Sequence, residues 1–143
     1  MATVEKSILI ERSAAQMFTL VDQVEDYPKF LPWCGGVELI ERDAVHTVAR
    51  LHIQDRGVKS HFSTENGKEF PLRMDMKLRD GPFRKLEGSW HFKPLGETAC
   101  KVEFCLQYEF SSTLLEKLVG PVFNHIAATF VDSFVKRALA LPA

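Results

Sequence analysis

The chain has 143 residues, 45% hydrophobic and 26% charged, which suits one globular domain spanning 1–143 and leaves no room for a second. A net charge of −1 gives no global field toward nucleic acid or anionic lipid, so DNA is not expected as a partner and any ribosomal or membrane contact must use a local patch. Cys34, Cys100 and Cys105 lack CxxC or Cys/His spacing, and no leader or run of about 18 apolar residues is visible, so free thiols, no metal site and a cytoplasmic protein without a membrane span are expected.

Thr3 to Ile10 reads as a first strand, and Ser13 as the N-cap of a short helix with Ala14, Met17, Phe18, Val21 and Val24 at helical spacing. That helix ends at Tyr27-Pro28. The stretch Asp26 to Gly36 is strongly apolar, yet Pro28, Pro32 and Gly35-Gly36 argue against a regular helix or strand. Surface loops are normally polar, so Tyr27, Phe30, Leu31 and Trp33 point to a flap over an apolar cavity, or else to a plug at the end of a core.

From Val37 onward, turn signals at Arg42-Asp43, Gln54 to Gly57, Asn66-Gly67, Asp80-Gly81-Pro82 and Pro94-Leu95-Gly96 separate about six strands, the pattern of a hairpin meander. Alternation places Leu72, Met74, Met76 and Leu78 on one face of their strand, with Leu86, Trp90 and Phe92 and then Val102, Phe104, Leu106, Tyr108 and Phe110 on that same face of theirs. Thr113 and Glu116 have capping-box spacing at the start of a helix over 113–140, where Phe123, Ile126, Ala127, Phe130, Phe134 and Ala138 form one stripe. Gly120-Pro121 is a candidate kink.

A sheet with one apolar face must bury it, and the order β-α-β6-α offers one long helix to do so: an α+β fold with a curved antiparallel sheet around a C-terminal helix. One helix does not fill a wide concavity, so space can remain, walled by Met74, Met76, Trp90, Phe92, Phe104, Leu106, Phe123 and Phe130. The alternative is that these side chains interlock into a dry core. His61, His91, Asp75, Glu103 and Glu109 point outward by parity, and no phosphate loop or nucleophile elbow is present, so no catalytic residue and no enzymatic activity are expected.

The motifs Tyr27-Pro28-x-Phe30-Leu31-Pro32-x-Cys34, Asp80-Gly-Pro-Phe-Arg-Lys-Leu86-x-Gly88-x-Trp90-x-Phe92-x-Pro94 and Cys100-Lys-Val-Glu-Phe104-x-Leu106-x-Tyr108-Glu-Phe110, with Val122-Phe123 and Phe134-x-x-Arg137-Ala138, resemble the coenzyme Q-binding START-domain family. The resemblance runs from about residue 3 to 139 and points to its bacterial branch of RatA-type ribosome-association toxins. It implies the helix-grip fold of START and polyketide-cyclase-like proteins. It also implies a non-enzymatic carrier of a prenyl lipid such as ubiquinone, supporting respiration, with no required cofactor and transient contact with the inner membrane surface. Tyr27 and Tyr108 are then candidate donors to the quinone head. The bacterial branch implies instead a toxin that binds the large ribosomal subunit and blocks subunit association, and Arg79, Arg84 and Lys85 around the Asp80 turn are the basic cluster that could meet phosphate.

Overall fold

A computed structural model describes residues 1–142. Its elements run β1 (Ala2–Ile10), α1 (Ala14–Asp22), a 3-10 helix (Val24–Lys29), β2 (Cys34–Arg42), β3 (His46–Asp55), β4 (Val58–Glu69), β5 (Arg73–Asp80), β6 (Phe83–Pro94), β7 (Cys100–Phe110) and α2 (Thr113–Ala140). The strands make one antiparallel sheet in the order β1-β7-β6-β5-β4-β3-β2, so β2 to β7 form the expected meander and β1 adds to its far side. This is the helix-grip arrangement. α2 lies across the curved sheet, where Phe123 packs on Phe62, Phe83 and Tyr108 and Phe130 on Trp90 and Phe104.

Local chemistry sets the boundaries. Ser13 accepts from Gln16 N and Gln16 Oε1 accepts from Ser13 N, a complete capping box that starts α1. The long helix begins differently from the sequence expectation: Ser112, not Thr113, is its N-cap, accepting from Leu115 N, and Glu116 falls outside a capping box. Pro121 stands inside the continuous helix.

Two further expectations are corrected. Asn66-Gly67 is not a turn but lies inside the twelve-residue strand β4, and the chain reverses at Phe70-Pro71-Leu72, leaving Leu72 exposed outside β5. The Asp26 to Gly36 stretch is more regular than its prolines suggest, because its first half forms the 3-10 helix with Pro28 inside. Gly35 and Gly36 belong to β2, where a Cβ on Gly35 would sit 2.8 Å from Gln54 Oε1.

α2 is long and apolar enough to cross a membrane, unlike the sequence expectation, but its apolar stripe of Phe123, Ile126, Ala127, Phe134 and Ala138 is buried in the core of this domain.

Candidate functional site

The interior between sheet, α2 and the 3-10 helix holds a cavity of ≈ 50 Å³. Small-molecule pockets usually measure about 300–1,000 Å³, so the concavity is nearly filled by the protein's own side chains. From the sequence-derived set, Tyr27, Trp33, Met76, Phe104, Leu106, Phe123 and Phe130 line it. Met74, Trp90 and Phe92 stand behind that wall, each with at most 1% exposure. Trp90 stacks on Phe92 with ring planes 9° apart and meets Phe134 edge-on, so this group is core rather than lining.

The double-proline stretch is a plug and not a hanging flap. Tyr27 and Leu31 are buried, Tyr27 Oη donates a short hydrogen bond to Val21 O, and Leu31 N donates to Tyr27 O at 2.8 Å. Trp33 O accepts from Gln54 N at 2.8 Å, which pins the segment to β3. Phe30 lies outside the cavity, edge-on to Phe134 and under the Arg137 guanidinium at 5.4 Å. Burial raises the Tyr27 phenol well above its ordinary pKa, and the nearby Asp22 charge pushes the same way, so it stays a neutral donor. Burial likewise raises the Cys34 and Cys100 thiols, which disfavours the thiolate form.

Neither tyrosine offers a free donor to a ligand. Tyr27 is committed to Val21 O, and Tyr108 donates to Asn124 Oδ1 at 2.6 Å, away from the cavity. The polar groups that do face the interior went unnoticed in the sequence: Thr64 and Asn66 line the cavity, with Thr47 opposite Asn66 and Lys68 next along the inner face of β4. Lys68 is 93% buried with its Nζ 3.2 Å from Asp22 Oδ1, which also accepts from Thr47 Oγ1 at 3.2 Å. The signal was parity. Counting in twos from Phe62 puts Thr64, Asn66 and Lys68 inside, but only once Asn66-Gly67 is read as strand.

Among the lining residues there is no His, carboxylate, Lys, Arg or Cys, so the cavity holds no general acid or base beyond the neutral Tyr27. His52 instead faces outward, 3.0 Å from Glu38 Oε2 and beside His61. The outer face is a checkerboard of opposite charges, with Lys93 2.6 Å from Glu103 and Arg73 3.0 Å from Asp75. In the cluster at the Asp80 turn, Arg84 lies 3.5 Å from Glu109 and Lys85 4.0 Å from Glu87, while Arg79 makes no ion pair among the described residues.

The family described as polyketide cyclase/dehydrase and lipid transport matches residues 10–135. The chain belongs to this family. It is 42% identical over 138 residues to "Ribosome association toxin RatA" from Vibrio cholerae, covering 96% of each chain. It is 30% identical over 135 residues to the mitochondrial coenzyme Q-binding protein COQ10 homolog B of Xenopus laevis, covering 88% of this chain and 53% of that one. A solved START superfamily protein from Mycobacterium smegmatis superposes with a TM-score of 0.77 at 21% identity over 98% of this chain and 99% of that one, a likeness of fold.

Proposed function

We propose that this protein is a non-enzymatic ribosome-association factor of the cytoplasm, which contacts the large subunit through its outer surface and hinders subunit joining. The observation that carries this reading is the 42% identity to a ribosome association toxin along 96% of both chains. The small cavity, with no acid–base residue beyond Tyr27, supports a role for the exterior over internal chemistry. Arg79 is the first candidate for a phosphate contact, joined by Arg84 and Lys85, whose exposed ion pairs are weak and exchangeable. Three such contacts give affinity that falls with salt at a log–log slope on the order of −2 to −3. In a filter-binding or sedimentation assay, replacing all three by Ala should flatten that dependence; an unchanged slope would remove the cluster from the interface.

A second reading is favoured by the cavity itself. Its wall is apolar but for Thr64, Asn66 and the Tyr27 hydroxyl, the composition of a site for a hydrophobic molecule such as a prenyl quinone, and the relative named as coenzyme Q-binding supports the same class. Loading it requires side chains to move. Met76 and Phe130, both half-buried, are the wall members with freedom to do so.

A further inference from the structure

Asn66 is 6% exposed and has almost nothing to bond with. Its Nδ2 donates only to Met74 Sδ, a long contact of 3.9 Å, and its Oδ1 accepts no hydrogen bond among the described residues. The neighbouring polar groups are engaged elsewhere: Thr47 Oγ1 and Lys68 Nζ both turn to Asp22. Buried amides are ordinarily paired, and one left open toward an apolar cavity is the standard form of a polar anchor in a ligand site. Asn66 sits on β4, bonded to β3 at Thr47 and to β5 at Met76, so the ladder on both sides fixes where its amide points.

We propose that Asn66 is the anchor and specificity determinant of an internal ligand site. The ligand class is a flat, hydrophobic molecule that presents a hydroxyl or a carbonyl to the Asn66 amide and lays its ring against Met76, Phe104 and Phe130. This deepens, and rests on, the reading of the interior as a ligand site. An amide carries both a donor and an acceptor, so Asn66 accommodates phenols and quinone carbonyls alike, and a purely hydrocarbon molecule leaves it unsatisfied.

The test uses the full chain, with naphthol and naphthalene as matched probes, titrated by ligand-observed NMR against wild type and Asn66→Leu. Wild type should bind naphthol about fivefold more tightly than naphthalene, the ratio expected of one net hydrogen bond. Asn66→Leu should lose this preference, binding naphthalene at least as tightly as naphthol, and melt no lower than wild type, because Leu leaves the naphthol hydroxyl without a partner and replaces an amide that lacks a strong one. Naphthol, and not naphthalene, should also shift the Asn66 side-chain amide signals of wild type, a readout that needs no variant to fold. Equal affinity of the probes for wild type, or a preference that survives in Asn66→Leu, overturns the anchor while leaving the cavity as a ligand site. Failure of both probes to bind wild type overturns the anchor and the ligand-site reading together.

Discussion

Gly88 shows how tightly single positions constrain the interior. It lies between Met76 and Leu106 on the inner face, and a Cβ there would stand 2.5 Å from Met76 Cε and 3.1 Å from Cys105 O. The methionine end can yield but the carbonyl cannot, so Gly88→Ala should cost about 1–3 kcal/mol in urea unfolding and reduce the cavity. A neutral result would mean that the strand relaxes freely there. Trp90 has no exposed surface and packs against Phe92, Phe104, Phe130 and Phe134; Trp90→Ala is expected to lose about 3–5 kcal/mol, whereas Trp90→Phe should cost far less, since the indole Nε1 has no partner. The sequence placed Trp90 and Phe92 on the inner face through strict alternation, but alternation cannot tell a cavity wall from the layer behind it. That depends on how the α2 side chains interlock. Asn66 was hidden for another reason: Asn-Gly is a strong local turn signal, and long-range pairing of β4 with both neighbours overrode it.

At the level of elements, the short α1 and the 3-10 helix are tied to the sheet by charge. Arg42, at the end of β2, donates to Glu25 Oε2 at 2.7 Å and Oε1 at 3.0 Å, and to Asp22 O at 2.9 Å. The Arg42 hydrogen bond holds the Glu25 carboxyl below its ordinary pKa. A depressed folded-state value means that the pair stabilises fully above the unfolded value of about 4.3 and loses its contribution as pH falls through the folded one. Both groups are partly exposed, so Arg42→Ala should cost only about 0.5–1 kcal/mol at neutral pH, and the gap from wild type should narrow below about pH 4 as Glu25 takes up its proton. A gap that widens in acid would exclude this pair as the tie. The start of α2 supplies a sharper test: Ser112→Ala should lower stability by about 1 kcal/mol and Thr113→Ala should do little, since only Ser112 Oγ accepts from Leu115 N. Strands and helices were legible because period-2 and period-3.6 patterns carry through β5 to α2. The 3-10 helix was not, because a proline such as Pro28 fits equally well in an irregular loop and in a short two-turn helix that begins before it.

Taken whole, the molecule joins a well-filled concave interior to an outer face of alternating charge, and these support different roles. A cavity of ≈ 50 Å³ takes a ring-sized ligand only if its wall moves, whereas the exterior is available without rearrangement. The meander of the later strands, the long C-terminal helix and the family were all legible from patterns and motifs spread along the chain, whereas the pairing of β1 with β7 was not. The balance between cavity and surface was not, because a few side-chain rotamers decide whether a hollow survives. The most direct test of the ribosomal role is sedimentation of purified subunits mixed with the protein at associating magnesium. The protein should travel with the large subunit and deplete joined ribosomes, and the Arg79→Ala, Arg84→Ala, Lys85→Ala variant should do so less well. Undiminished joining, with the protein left at the top of the gradient, would contradict it.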